Sequence, residues 1–89
     1  MDIVRTAAAG TLESNDVLVT VSPHDGGIRL TVDSVVMAQF GDDIKACVHE
    51  VLSAMGVTNA GIDLTDRGAV RPVIMARVET ALRRAGGTP

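Results

Sequence analysis

The 89-residue sequence predicts an α+β fold, a small mixed or antiparallel sheet with two helices packed on one face. Three observations predict it. Residues 16–22 and 28–33 alternate apolar and polar side chains, the period of two that half-buries a strand. From Phe40 the period lengthens to that of a helix, and a second helical stripe begins near Arg71. Between those stripes, residues 61–66 alternate again, which makes a third strand.

Residues 3–9 are a candidate N-terminal edge strand. In the next run Val17, Val19 and Val21 share one face, with Leu18, Thr20 and Ser22 on the other. Residues 23–27, Pro-His-Asp-Gly-Gly, are turn chemistry, because glycine reaches positive φ freely and Asp tolerates it. Ile28, Leu30 and Val32 then alternate with Arg29, Thr31 and Asp33, so the two runs read as a β-hairpin. Ile44, Cys47, Val48, Val51, Leu52 and Met55 follow the i, i+3, i+4, i+7 rule of one helix face. Asp42 and Asp43 are placed in its first turn, where the helix dipole favours negative charge, and Gly56 at its C-terminal cap. Ile62 and Leu64 point inward from the third strand, and Asp66-Arg67-Gly68 closes it with a turn. The second helix starts at Arg71 or Pro72, a first-turn proline being tolerated. Ile74, Val78 and Leu82, with Val73 and Ala81, form its buried stripe; Gly86-Gly87 ends it, and the tail beyond frays. Met37, Met55 and Met75 read as gap-filling core residues.

Residues 1–89 are expected to form one domain. Hydrophobic residues make up 46% of the chain, enough for a core, yet Phe40 is the only aromatic, so that core must be aliphatic. A single cysteine rules out an internal disulfide. The first residues lack the basic and apolar regions of a secretory leader, and no apolar run approaches the roughly 18 residues of a membrane span. The expectation is a soluble cytoplasmic protein with no membrane role. A net charge of −3 argues against nucleic acid as a partner. Eight of the eleven acids fall in residues 1–50, while five of the eight bases fall after residue 50. That asymmetry suits either two differently charged docking faces or two ordinary solvated surfaces.

Residues 10–16, Gly-Thr-Leu-Glu-Ser-Asn-Asp, set one hydroxyl, Ser14, between two carboxylates just ahead of a strand. Glu13 and Asp16 on an exposed turn lack the shaped, partly dry site that separates the pKa values of an acid/base pair. Cys47 and His49, two residues apart on a helix, diverge and do not chelate one metal. The glycines around residues 57–60 lack the spacing and the Lys-Ser/Thr of a phosphate loop. A small chain with one presented serine and no machinery around it reads as a protein acted upon. The bland alternative is an unmodified interaction domain in which Ser14 only closes a turn.

Residues 9–14, Ala-Gly-Thr-Leu-Glu-Ser, followed by Asp16-Val17, resemble the N-terminal signature of the citrate lyase acyl carrier proteins, the gamma subunits. Gln39-Phe40-Gly41-Asp42, Asp66-Arg67-Gly68-Ala69 and the helix with Arg77 and Glu79 continue the resemblance over nearly the whole length. It implies a noncatalytic subunit, with no catalytic or metal-binding residue of its own. Ser14 would carry a 2'-(5''-phosphoribosyl)-3'-dephospho-CoA group through a phosphodiester, installed by a dedicated transferase. For recognition by that transferase, the charges of Glu13 and Asp16 beside Ser14 are this reading's own candidates. The distal thiol would bear acetyl and then citryl thioesters as citrate is cleaved to oxaloacetate and acetate. The implied partners are the alpha (acyl transferase) and beta (acyl lyase) subunits, the transferase and an acetate ligase. The same carrier type also serves citramalate lyase, and a more distant relative serves malonate decarboxylase. Asn15 stands where relatives often have Ser or Gly, and little consequence is expected of it. The four-helix acyl carriers are set apart by their Asp-Ser-Leu motif, which is absent here.

Overall fold

Period-two alternation makes a sheet with one apolar and one polar face, and helical stripes supply the cover for the apolar one. The computed structural model describes residues 1–87 and arranges them as β1 (Ala7–Gly10), β2 (Val17–Ser22), β3 (Ile28–Ser34), α1 (Met37–Ala54), β4 (Ala60–Asp66) and α2 (Arg71–Ala85). The tail expected to fray, Thr88 and Pro89, lies outside the described residues. The fold is α+β, as the sequence predicts. Val17, Val19 and Val21 of β2 and Ala60, Ile62 and Leu64 of β4 are buried beneath the helices. The opposite face is polar; there Arg29 forms a two-pronged pair with Asp63 at 3.0 and 3.3 Å.

The sheet order is β1-β2-β4-β3, which corrects the expected hairpin. β2 and β3 run in the opposite senses a hairpin requires, but β4 lies between them, antiparallel to β2 and parallel to β3. The hairpin that does form joins β2 to β1, an N-terminal edge strand over Ala7–Gly10 in place of the expected residues 3–9, with Ala7 opposite Val21 and Gly10 opposite Leu18. Local sequence could not separate the two arrangements. A five-residue connection either turns tightly or steps across one strand, a span of about 10 Å that extended chain covers easily. Burial decides it: Ile62 and Leu64 are sealed, whereas Ile28, Leu30 and Val32 of β3 are half-exposed, as an edge position allows. Because β3 and β4 are parallel, α1 is their obligatory crossover.

The stripe of α1 buries Ile44, Cys47, Val48, Val51 and Leu52 as its spacing predicts. The helix begins earlier than expected, at Met37, so Asp42 and Asp43 fall in its second turn and no acid occupies the first. Ser34 causes the early start: its Oγ accepts the Val36 N–H at 3.1 Å and turns the chain directly from β3 into helix. Met37 is consequently exposed, whereas Met55 and Met75 pack against the core as expected. At the other end Gly56 (φ 66°) donates to the Ser53 carbonyl at 3.1 Å and buried Val57 to that of Leu52 at 2.9 Å. Those two bonds are the paired closure of a Schellman motif, which satisfies carbonyls the helix leaves free. Ile74, Val78, Ala81, Leu82 and Ala85 form the buried stripe of α2, with Pro72 in its first turn and Arg83 and Arg84 in its last.

The registers bring four strand ends together. Gly10 lies opposite Leu18, Val17 opposite Asp66, and Ser34 alongside Asp66. The 11–16 loop, the 67–70 connection and the start of α1 therefore share one end of the sheet. The N-terminal arm, tied to Gly56, Ala85 and Gly87, lies at the other.

Candidate functional site

The loop carrying Ser14 begins where the chain passes very close to itself. Gly10 adopts φ 95°, and a Cβ there would stand 1.8 Å from the Val17 carbonyl oxygen. Only glycine tolerates both the conformation and the approach. Thr11 then donates its hydroxyl to Asp16 Oδ2 at 2.7 Å and accepts the Glu13 N–H at 3.2 Å. The turn over residues 13–16 closes with the Asp16 N–H donating to the Glu13 carbonyl at 3.1 Å. Asn15 holds the third position at φ 66°, where a type II turn needs Gly or Asn. Asn15 thus has a definite backbone role, more than the sequence suggested.

Three further contacts fix the turn to the body. The Asn15 N–H donates to the Arg67 carbonyl at 2.8 Å, and the Arg67 N–H to the Asp16 carbonyl at 2.9 Å. Arg77 of α2 grips the Asp16 carboxylate with both prongs, Nε to Oδ1 at 3.1 Å and Nη2 to Oδ2 at 3.0 Å. The planar guanidinium matches a carboxylate in this way, fixing direction as well as distance. Asp16 Oδ1 also accepts the Val17 N–H at 2.8 Å. The Arg77 hydrogen bonds, then the Thr11 and Val17 ones, hold the Asp16 carboxyl down at about 2, well below its ordinary range. Beneath the 67–70 connection, Asp66 is only 1% exposed. It accepts the Ser34 hydroxyl at 2.7 Å and the Ala69 N–H at 2.9 Å, so that β3, β4 and the approach to α2 meet on one carboxylate.

Ser14 stands exposed on the crest of this braced turn. The loop's side-chain hydrogen bonds run through Thr11, Asp16 and Arg77, and none uses the Ser14 hydroxyl. Glu13 is exposed beside it and joins no ion pair among the described residues. Of the three residues named from sequence, two therefore lie on the crest and the third, Asp16, lies in the brace. Both histidines are remote from the turn: His24 follows β2 at the opposite end of the sheet, and His49 lies in the second half of α1. Cys47 is buried in the core, and that burial pushes its thiol pKa up. The Ser14 oxygen thus has no histidine beside it.

Sequence reasoning missed Gly10, Arg77 and Asp66. Gly10 left only the weak hint of a glycine at a strand end. Asp66 followed by Arg-Gly-Ala carries a legible signal, an Asp that caps its own turn. The partnership of Arg77 with Asp16, 61 residues apart, left none.

The structure thus presents an exposed serine, its hydroxyl without a hydrogen bond among the described residues, on a braced turn of a small α+β scaffold. The family model described as malonate decarboxylase delta subunit (MdcD) matches residues 4–85. The citrate lyase acyl carrier protein of Halothermothrix orenii is 46% identical over 85 residues, which cover 96% of this chain and 90% of that one. That of Pectobacterium carotovorum is 48% identical over 85 residues, 96% of this chain and 88% of the relative. A chain in the crystal structure of a Pseudomonas malonate decarboxylase hetero-tetramer in complex with malonate shares the fold, with a TM-score of 0.81. Its identity is 23%, over 94% of this chain and 87% of that one. The protein belongs to the citrate lyase acyl carrier protein family.

Proposed function

We propose that residues 1–89 act as a single noncatalytic carrier domain, the acyl carrier subunit of a cytoplasmic citrate lyase complex, with Ser14 as the attachment point of its phosphoribosyl dephospho-CoA group. The observation that carries this reading is the exposed Ser14 hydroxyl, free of hydrogen bonds among the described residues, on a turn fixed by Asp16 and Arg77. Open space above the crest suits a bulky group. Attachment needs the Ser14 oxygen to bond the phosphorus of the donor while the transferase takes its proton and the donor's leaving group departs. Glu13, exposed and unpaired among the described residues, suits direct recognition by that transferase. Asp16 contributes by holding the turn in the shape presented. Once attached, the group supplies a thiol on a long tether, which raises the local concentration of a thioester at successive active sites. The fixed turn sets where that tether starts. The alpha and beta subunits would then supply acyl transfer and cleavage, and the acetate ligase would recharge the thiol.

The test is the intact mass of the protein after co-expression with the transferase and the precursor-forming enzyme, for wild type and Ser14→Ala. A mass increase matching the group, lost in the variant, is expected. No increase, with the transferase active on a control carrier, would return Ser14 to the role of a turn residue. The second reading is the carrier of a malonate decarboxylase, favoured by the description of the matching family model. The 46–48% identities to citrate lyase carriers, against 23% to the malonate decarboxylase chain, support citrate lyase as the first reading. Reconstitution of the loaded protein with citrate lyase alpha and beta subunits separates the two.

A further inference from the structure

Among the described residues, five of the seven exposed large apolar side chains lie at the Ser14 end: Leu12 (53% exposed), Val35 (62%), Met37 (37%), Phe40 (49%) and Val70 (65%). The other two, Met1 and Val4, belong to the arm at the opposite end. Val35 and Met37 flank the start of α1, Phe40 lies in its first turn, and Val70 directly precedes α2. The only aromatic residue of the chain is thus outside the core. Between α1 and α2 the same end opens into a groove of about 320 Å³ lined by Phe40, Ile44 and Ile74, with Asp43 and Arg71 at its margin. Four carboxylates stand at this end of the fold. Glu13, Asp33, Asp42 and Asp43 are exposed there and take part in none of the four ion pairs of the described residues. Arg67 is the one exposed cation of that end outside those pairs; Arg71 is already paired with Glu50 and Arg77 with Asp16.

We propose that this end is a docking surface for the enzyme subunit that receives the tethered thiol, a partner with an apolar centre that fills the α1–α2 groove and a rim of Lys and Arg that meets the acids. The proposal rests on the carrier reading, because that reading requires the Ser14 end to face an active site. Apolar centres with polar rims are how specific interfaces divide their work, the centre giving affinity and the charged rim giving approach rate and register. Position and charge both select this occupant. A surface around the tether's root is the one a receiving enzyme must meet, and an acidic rim repels a second copy of the same chain.

The test measures binding of purified citrate lyase alpha and beta subunits to loaded wild type, Phe40→Ser, Val70→Ser and Val4→Ser, with helix content and Ser14 loading checked for each. Phe40→Ser and Val70→Ser are expected to weaken binding to at least one subunit about tenfold, and Val4→Ser less than about twofold. Replacing Asp42 and Asp43 by Asn is expected to slow association and flatten its salt dependence. Undiminished binding by Phe40→Ser and Val70→Ser, with Ser14 loaded, would overturn the docking surface and leave the carrier reading standing. So would a wild-type homodimer in sedimentation that Phe40→Ser abolishes, which would assign the surface to a second copy. Amide shifts at Ile44 and Ile74 on loading alone, with no partner present, would likewise overturn it by assigning the groove to the protein's own arm. An unmodified Ser14 in wild type defeats the carrier reading itself, whatever the binding shows.

Discussion

β2 lies between two connections of similar length that are built on opposite principles. Residues 11–16, before it, are held by Thr11, by the two-pronged Arg77–Asp16 pair and by two backbone bonds to Arg67. Residues 23–27, after it, are anchored mainly at their end, where the Gly27 N–H donates to Asn59 Oδ1 at 2.7 Å and its carbonyl accepts the Ala60 N–H at 3.2 Å. Gly26 and Gly27 also have positive φ, but a Cβ at either would point into open space. One loop is shaped by the tertiary structure around it, the other by its own backbone preferences. The braced one carries the exposed hydroxyl, as a platform needs: rigid behind and open in front.

That contrast is broken most severely at the glycines. Gly10→Ala incurs left-handed strain of about 1–2 kcal/mol and a clash with the Val17 carbonyl worth about 1–3 more. Gly26→Ala incurs only the first. Denaturant titration should therefore find Gly10→Ala the more destabilising by at least about 1 kcal/mol; equal losses would mean the close approach relaxes freely.

Arg77→Met keeps much of the aliphatic stem and removes the grip on Asp16. Amide exchange at Asn15 and Arg67 should speed up about tenfold while Gly27 is unaffected and global stability changes little. Uniform acceleration at both loops would show that the brace serves the whole fold and not the Ser14 turn.

A subtler effect follows from the carboxyl of Asp16, lowered to about 2 from its unfolded value of 3.8. A depressed folded-state pKa means the stabilisation is complete above the unfolded value and is lost as pH falls through the folded one. The turn should stay intact from neutral pH to about 4 and loosen toward pH 2, followed by the Asn15 and Arg67 amide shifts. Asp63, held low by Arg29, contributes with the same sign on the outer face of the sheet. Asp16→Asn isolates the loop's share, because it should abolish the transition in those two shifts alone. The smallest effect belongs to Ser14→Ala. Exposed, and without a hydrogen bond among the described residues, the hydroxyl should contribute less than about 0.5 kcal/mol to stability even though the proposed attachment would depend on it. A larger loss in thermal melts would reveal a structural role for that hydroxyl.

Much of the scaffold was legible in the residues, because it is written in local periodicity. The valines of β2, the α1 stripe from Ile44 to Leu52, Ile62 and Leu64 of β4, and the α2 stripe are each buried where spacing put them. Gly56 ends α1 as a capping glycine should. The start of α1 was misplaced because residues 35–40 have no clear period, and the Ser34 side chain made the turn. The strand neighbours of β2 were misassigned because alternation states which face is buried and not which strand lies alongside. At the site, the signature around Ser14 was visible as a string, and so was the exposure expected of a polar loop.

By itself, then, the sequence determined the main elements, their buried faces and the fold class, and pointed to the serine of the family signature. These follow from short-range periodicity and from a motif of adjacent residues. Only the tertiary structure decided that β4 separates β2 from β3, that Gly10 lies against Val17, and that Arg77 reaches back 61 residues to Asp16. Each of those depends on which surfaces meet once the helices cover the sheet, and contacts between segments distant in sequence leave no spacing to read.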